Sequence, residues 1–364
     1  MPSTPSADLR GKVMIVTGSN TGIGKATAKA LSSQGATVIL ACRSEKRAQE
    51  ALKDFQEAAR HQDQEPGPVV YINLDLSSLK SVEEFARSFK ARYSRLDALV
   101  NNAGVSGQGS GDTLTADGLG WTFGVNFISH FHLTTCLLDV IKATPGSRIV
   151  NLASVFSRFA GSREMSKWME IVPPERSLYE SNYAESKFAM VLLTVELRRR
   201  FQAAGVSCQS FAVDPGAVQS DIWREVEPGV GAGSPFFSLR VSHYFPFLQI
   251  PSFIKPIFSA VMKVMFLSNS QGCFPSVWAA SAPLEAIQSL SSSSTDMPLY
   301  LQPYWLPFGI PLPFEILGPF IGCAAAWPPL PAAAREKGEK LWALMEKAIA
   351  DATSGQEKEN RKTR

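Results

Sequence analysis

The chain has 364 residues, of which 45% are hydrophobic and 19% charged, so it can bury the core of one large domain. Its formal net charge is +3, with both signs mixed along the chain, and nucleic acid is therefore not an expected partner. Five scattered cysteines without a C-x-x-C pair argue for a reducing compartment and against a disulfide framework, and no metal site is expected.

Strands and helices alternate along residues 12–216. The apolar segments KVMIV, TVILA, VVYIN, LDALV, SRIVN and SCQSFAV predict six strands, and helical patterns separate them. Because these strands are apolar on both faces, they predict an α/β fold with a Rossmann-type doubly wound parallel sheet between two helical layers. A (β/α)8 barrel is the rival fold. GWTFGVNFISHFHLTTCLLDVIK predicts one long apolar helix, and another helix is expected over residues 181–204.

The composition changes after Gly216. Segments 228–267 and 303–331 are rich in proline and aromatic residues, and they predict an extended apolar lid over the sheet. The predicted organisation has four parts: a flexible N-terminus over 1–10, a Rossmann domain over 11–226, a lid and C-terminal extension of that domain over 227–350, and a disordered charged tail over 351–364.

The segment TGSNTGIG, from Thr17 to Gly24, stands between the first strand and the first helix. Glycine lets the backbone approach a phosphate, and the helix N-terminus offers free N–H groups to its charge. The spacing differs from the common G-x-G-x-x-G fingerprint, and an ordinary tight turn is the alternative.

The end of the second strand indicates which dinucleotide would bind. NAD sites usually carry an acid there, whereas a base suits the 2′-phosphate of NADP. Here no acid precedes Glu45, and Arg43 can form a forked contact with a phosphate. The sequence therefore favours NADP(H), and a solvated surface arginine is the alternative.

Polar residues also stand at the ends of the third and fourth strands. Asp75 could accept a hydrogen bond from an adenine amino group or cap the next helix, and the two roles are compatible. The turn NNAG, ending at Gly104, could let a ligand lie over the sheet edge or be an ordinary turn. Asn126, within the apolar helix, is either a core amide or one that bends the helix near a reaction centre.

Ser154 ends the fifth strand, and Tyr183 and Lys187 form the pattern Y-x-x-x-K. Residues four apart on a helix share a face, which would place an ammonium group beside a phenol. A helix cap for the serine and a surface pair for the other two are the alternatives. Tyr179 has no lysine four residues later, and we expect it to pack or to line the substrate entrance.

Taken together and in this order, TGSNTGIG, NNAG, Asn126, Ser154, YAESK and DPGAVQS resemble the short-chain dehydrogenase/reductase family over roughly residues 10–225. The segment ILACRSEKRAQE, the long insert before Tyr183 and the late helix with LWALMEKA are similar to its retinol-dehydrogenase-like branch. VDPGAVQSDIW is similar to members that act on polyprenoid alcohols. The chain departs from the branch in reading NLAS where a double serine is usual and in its proline-rich segment at 303–331, and the N-terminal membrane anchor that many branch members carry is not expected.

The resemblance implies a role for each matching residue. Ser154, Tyr183, Lys187 and Asn126 would form a catalytic tetrad, in which Lys187 and an oxidised nicotinamide lower the pKa of Tyr183 towards neutrality. The residues implied to contact NADP(H) are Gly18, Ser19, Asn20, Gly22, Ile23, Gly24, Arg43, Asp75, Leu76, Asn102, Ala103, Gly104, Tyr183, Lys187, Pro215, Gly216 and Val218.

The implied activity is NADP(H)-dependent interconversion of a hydrophobic alcohol, such as a retinoid, polyprenoid or steroid, and its carbonyl compound. The aromatic residues after Gly216 agree with a small hydrophobic substrate. Lys255 and Lys263 among them would suit peripheral contact with a membrane or a lipid droplet, whereas the prolines argue against a long amphipathic helix. A cytosolic or membrane-facing intracellular location is expected, and the oligomeric state is left open. The alternative function is a non-catalytic nucleotide-sensing scaffold.

Overall fold

One mixed sheet forms the centre of the computed structural model. The structure describes residues 7–60, 65–105, 114–160, 164–169, 182–216, 218, 267–289, 300–303, 323–325 and 332–362. The strands are β1 (Val13–Thr17), β2 (Thr37–Cys42), β3 (Val69–Asn73), β4 (Ala98–Asn101), β5 (Arg148–Leu152), β6 (Gln209–Val213), β7 (Tyr300–Pro303) and β8 (Cys323–Ala325). Their spatial order is β3-β2-β1-β4-β5-β6-β7-β8, and all neighbours are parallel except β7 and β8. The predicted doubly wound sheet is confirmed, and β7 and β8 extend it beyond the six predicted strands.

Helices cover both faces of this sheet. They are α1 (Gly22–Ser33), α2 (Glu45–Ala59), α3 (Leu79–Lys90), α4 (Trp121–Phe123), α5 (Ser129–Cys136), α6 (Leu138–Ala143), α7 (Asn182–Ala203), α8 (Asn269–Gly272), α9 (Phe274–Ser281), α10 (Leu284–Gln288) and α11 (Ala332–Lys362). Successive strand residues point to opposite faces, so β1 contributes Ile15 to one apolar cluster and Val16 to the other. Helices α3, α5, α7 and α11 pack on the first cluster, and α1, α2 and α9 pack on the second.

The prediction of one continuous helix between β4 and β5 is wrong, because the helix is interrupted. The chain forms α4, then a π-helical turn over Gly124–Ile128, then α5, and it breaks again before α6. The apolar pattern predicts burial but cannot reveal a local change of hydrogen-bond spacing. The π turn places Asn126, and single π turns within helices occur frequently at functional sites.

Residues 7–10 and 351–362 are more ordered than the composition predicts. The side chain of Leu9 is buried and its N–H donates to the carbonyl of Gln34, so residues 7–10 are not a loose end. Helix α11 continues to Lys362 through most of the predicted disordered tail. It is anchored on the core by Trp342, which meets the ring of Phe131 edge-on at 4.8 Å, and its alanine, glutamate and lysine residues favour helix.

Among the helices that the structure describes, none is both long and apolar enough to cross a membrane. The predicted lid segments 228–267 and 303–331 lie almost wholly outside the described residues, as does Tyr179.

Candidate active site

The glycine-rich segment forms a tight cradle at the carboxyl end of β1. Gly18 has a φ of +63°, a conformation that side chains disfavour, and a Cβ added there would lie 3.0 Å from Ala103. A Cβ on Gly24 would lie only 2.4 Å from the Gly18 carbonyl oxygen and from Asn102 Nδ2. Because these glycines carry no side chain, a ligand can approach the backbone at the N-terminus of α1. The free N–H groups there favour an anion.

Two buried polar atoms at this cradle lack a hydrogen-bond partner among the described residues. They are the hydroxyl oxygen of Ser19 and Oδ1 of Asn102, whose Nδ2 donates to the Thr17 carbonyl at 2.7 Å. Unpaired buried polar atoms are costly, so they point to a ligand that satisfies them. The cradle and the unpaired atoms together fit a dinucleotide, with Asn20, Gly22 and Ile23 completing the same segment between β1 and the first turn of α1.

Arg43 and Asp75 lie at neighbouring strand ends. Arg43 follows β2 and is exposed, immediately before Ser44, which caps α2. The Oδ1 atom of Asp75 accepts from the backbone N–H and the hydroxyl of Ser77, at 2.9 and 2.7 Å. The cap of α3 is Ser78, so the helix-capping alternative for Asp75 is wrong. Leu76 is buried, and its carbonyl accepts from Ser129 at 2.6 Å.

Both polar atoms of the Asn126 side chain have hydrogen-bond partners. Its Oδ1 accepts from the Val105 N–H at 2.7 Å, and its Nδ2 donates to the Val105 carbonyl at 2.8 Å and to the Ser186 hydroxyl at 3.1 Å. Both alternatives for Asn126 therefore hold in part, since it is a satisfied core amide and stands in a distorted turn. A Cβ on Gly104 would lie 3.4 Å from Asn126 Oδ1 and 3.4 Å from Lys187 Nζ, so the strand end, the π turn and α7 converge.

Ser154 and Tyr183 meet at the carboxyl end of β5. The Ser154 side chain accepts from the Phe156 N–H at 3.3 Å and forms a hydrogen bond with Tyr183. Tyr183 stands in the first turn of α7, and its ring meets that of Phe156 edge-on at 6.1 Å. The two hydroxyl groups are therefore within hydrogen-bonding reach of each other.

Lys187 lies one helical turn beyond Tyr183 and is buried. Its Nζ donates to the Leu152 carbonyl at 3.0 Å and lies 5.6 Å from the centre of the Tyr183 ring. Burial lowers the pKa of Lys187 to about 8, although the Asp214 carboxylate opposes this shift.

The residues of the chain do not by themselves produce the expected fall in the pKa of Tyr183. Burial raises that pKa well above its ordinary value, Ser154 lowers it through their hydrogen bond, and the charge of Asp214 raises it further. The sequence spacing identifies the lysine neighbour, but it cannot show that the phenol, half-buried at the start of α7, is partly removed from water. A neutral phenol can donate its proton in a hydrogen bond.

The DPG segment follows β6 and borders Lys187. Asp214 comes directly after Val213, which pairs with Leu152 in the sheet, and its Oδ1 accepts from the Gly216 N–H at 2.9 Å. Pro215 and Gly216 lie at the same sheet edge. Val218 is buried, forms a bridge with Leu267, and packs against Gly272.

Sequence reasoning missed four side chains of the site: those of Thr17, His130, Ser186 and Asp214. Ser186 donates to the Tyr183 carbonyl at 2.7 Å, within the YAESK motif that was read only for its tyrosine and lysine. His130 stands four residues after Asn126, which is a signal of contact on a helix.

Known proteins resemble this chain in sequence. The family model for short chain dehydrogenase matches residues 12–167. Human retinol dehydrogenase 13 is 39% identical over 242 residues, which are 66% of this chain and 68% of that protein. The chain belongs to the short-chain dehydrogenase/reductase family. Human retinol dehydrogenase 11 is 38% identical over 61% of this chain and 65% of its own length, so matches span about two thirds of these family members.

Solved structures support the same fold. An uncharacterised protein from Mycobacterium paratuberculosis superposes with a TM-score of 0.59 at 24% identity, covering 94% of this chain and 96% of that one. L-sorbose reductase from Gluconobacter frateurii, solved with NADPH and L-sorbose, gives a TM-score of 0.52 at 20% identity, covering 76% and 92%. At these identities the short-chain dehydrogenase/reductase fold is shared, and nothing finer is implied.

Proposed function

We propose that the protein is an NADP(H)-dependent oxidoreductase that interconverts a hydrophobic alcohol and its aldehyde or ketone. The observation that carries the proposal is the convergence of Ser154, Tyr183 and Lys187 beside Gly104, at the sheet edge that also holds the glycine cradle. A nucleotide-sensing scaffold has no physical need for a buried lysine 5.6 Å from the ring of a tyrosine that is hydrogen-bonded to a serine.

Each side chain has a distinct task in carbonyl reduction. A bound nicotinamide cofactor supplies the electron pair of the reduction. The hydroxyls of Ser154 and Tyr183 polarise the carbonyl oxygen, and Tyr183 gives that oxygen its proton. The Lys187 ammonium, 5.6 Å from the centre of the Tyr183 ring, stabilises the phenolate that remains. In oxidation the phenolate takes the alcohol proton back.

Gly18 to Gly24 and Asn102 to Gly104 are the proposed contacts to the cofactor, with Pro215, Gly216 and Val218 on the nicotinamide side. Preference for NADP(H) is assigned to Arg43, which is exposed and stands where β2 ends. Replacing Arg43 with aspartate should raise the Kd for NADPH ten- to a hundredfold, because a charge-assisted bond is lost and a repulsive charge is gained. The Kd for NADH should change little, as measured by fluorescence titration with both dinucleotides.

Arg60→Asp is the matched control for this charge change. Arg60 is also exposed, and it follows the other end of α2, about 22 Å away along the helix. It should leave both dissociation constants unchanged. Equal losses of NADPH affinity in the two variants would assign the effect to net charge and remove Arg43 from the site.

The substrate class is proposed from the retinol dehydrogenase relatives and from the aromatic-rich segment after Gly216. NADPH oxidation with retinal, a polyprenal, steroid ketones and medium-chain aldehydes tests it, with NADH in parallel. Faster turnover of retinal, the polyprenal or the steroid ketones than of the medium-chain aldehydes is the expected result. Binding of NADPH without turnover of any of them would favour the scaffold.

The pKa of Lys187 should determine the alkaline limit of the reduction, which is the pH above which kcat/KM falls. Because the pKa of Tyr183 is raised, that residue stays protonated, whereas Lys187, with a pKa of about 8, loses its charge as pH rises. The value of kcat/KM for carbonyl reduction is therefore expected to be level below pH 8 and to fall about tenfold per pH unit above it.

Asp214→Asn provides the test of this assignment. The Asp214 charge raises the pKa of Lys187, so its removal should move the alkaline limit to lower pH. The amide oxygen of asparagine can still accept from the Gly216 N–H, which keeps the turn intact. A limit that stays in place or moves upward would show that Lys187 is not the titrating group.

A further inference from the structure

A buried histidine joins the cofactor cradle to the catalytic residues. His130 Nε2 lies 2.8 Å from the Thr17 hydroxyl oxygen, and Nδ1 lies 2.9 Å from the Asn126 carbonyl oxygen. The side chains of Thr17 and His130 are both fully buried. The imidazole therefore spans the gap between β1 and the π turn.

The hydrogen-bond partners determine the tautomer of His130. A carbonyl oxygen can only accept, so Nδ1 carries the proton and donates it to Asn126. The Thr17 oxygen accepts from the N–H groups of Asn102 and Ala103, at 2.8 and 2.9 Å. Its own proton then goes to Nε2 at 2.8 Å, which is much closer than the Val100 carbonyl at 3.4 Å.

The imidazole is neutral in this position. Burial lowers the pKa of His130 to about 4, the bond to Asn126 opposes that shift, and the Lys187 ammonium adds to it. A charged imidazolium would carry a proton on Nε2 as well, and the Thr17 oxygen, which already accepts from two N–H groups, would have to accept a third. The bridge is consequently a fixed structural link between pH 5 and pH 8.

The same network continues on the far side of Asn126. Its side chain holds both backbone groups of Val105 and donates to Ser186, whose hydroxyl donates to the Tyr183 carbonyl. Residues 102–105 are thus held from two sides, through Thr17 at one end and Asn126 at the other. His130 is the group that joins these two attachments to each other.

We propose that His130 is a positioning residue that fixes the turn over residues 102–105, and thereby the bound cofactor, relative to Tyr183 and Lys187. It touches neither substrate nor cofactor and acts through Thr17 and Asn126. This inference rests on the proposed function for its effect on NADPH, but the link itself can be measured without any cofactor.

The experiment compares His130→Leu, which removes both bonds, with His130→Gln, which keeps a donor and an acceptor on one planar group. Thr17→Val and Thr17→Ser form a second pair, in which only serine keeps the hydroxyl. His130→Leu and Thr17→Val should each raise the Kd for NADPH about tenfold. The double variant should also raise it about tenfold, because all three variants break the same hydrogen-bond network. His130→Gln and Thr17→Ser should stay within about threefold of the wild-type value.

Amide hydrogen exchange at Asn102 and Ala103, measured without cofactor, separates this inference from the proposed function. The exchange rate at these amides should increase in His130→Leu and return towards the wild-type rate in His130→Gln. Should His130→Leu fail to fold, the Thr17 pair gives the same comparison. Wild-type protein that does not bind NADPH would reject the proposed function, while faster exchange in the variants would still support the link.

Unchanged exchange in the folded variants would overturn the positioning role. So would an increase of about a hundredfold in the Kd of the double variant, since independent effects multiply. Histidine nitrogen chemical shifts provide the remaining check. The His130 signal is the one that disappears in His130→Gln. Its shifts should show a neutral ring protonated at Nδ1 down to pH 5, and a ring protonated at Nε2 would contradict the assigned bridge.

Discussion

Tyr183→Phe is expected to reduce kcat for NADPH-dependent carbonyl reduction about a thousandfold while changing the Kd for NADPH by less than twofold. The substitution removes only the hydroxyl, and with it the proton donor of the reaction. The phenylalanine ring keeps the edge-on contact with Phe156 and fills the same space next to Lys187. Single-turnover absorbance at the NADPH band measures the chemical step, and fluorescence titration measures binding.

Tyr93→Phe is a matched control for this result. Tyr93 stacks on Phe89 beside α3, away from the carboxyl edge of the sheet, and its loss of a hydroxyl should leave turnover unchanged. A Tyr183→Phe enzyme that retained a tenth of the wild-type rate would show that another group supplies the proton. Ser154 would then be the next candidate, because it is hydrogen-bonded to the same phenol.

The sheet could be predicted from the sequence because its signal is local. Each of the first six strands is a short apolar run, and the glycines and caps that bound them act within a few residues. The strands β7 and β8 lack such a signal. They are four and three residues long and lie beyond an apolar, proline-broken region, so only their pairing with β6 and with each other defines them.

The candidate site was only partly predictable, since motifs identify residue types and not their environment. The spacing of Tyr183 and Lys187 correctly predicts that they share one face of a helix. It does not predict that burial dominates both titrations, raising the pKa of the phenol and lowering that of the amine. Asp214 enters the site because β6 lies next to β5, a long-range relation that the DPG motif does not state.

The Thr17–His130 link shows the same limit more clearly. Thr17 and His130 are 113 residues apart, and His130 belongs to no pattern with obvious chemistry. The apolar helix around His130 predicts burial, and a buried histidine needs partners. Their identity depends on the π turn, which exposes the Asn126 carbonyl to the ring and which the hydrophobic pattern does not reveal.

Gly24→Ala is expected to raise the Kd for NADPH by at least a hundredfold. In an ordinary helix this change is stabilising, because alanine is a better helix former by about 1 kcal/mol. Here the new methyl group would lie 2.4 Å from the Gly18 carbonyl oxygen and 2.4 Å from Asn102 Nδ2. Backbone must move to relieve the first contact, and the bond from Asn102 to the Thr17 carbonyl must break to relieve the second. Isothermal titration with NADPH measures the loss.

Gly146→Ala separates this effect from a general loss of stability. Gly146 has a φ of +70°, so alanine is strained there by about 1–2 kcal/mol, but the added methyl group meets nothing within 4 Å. The residue precedes β5, at the amino-terminal edge of the sheet and opposite the cradle. The control should lower the unfolding temperature and leave the Kd unchanged. If Gly24→Ala bound NADPH as tightly as this control, the first turn of α1 would not be the phosphate site, and the cradle would have to be assigned a purely structural role.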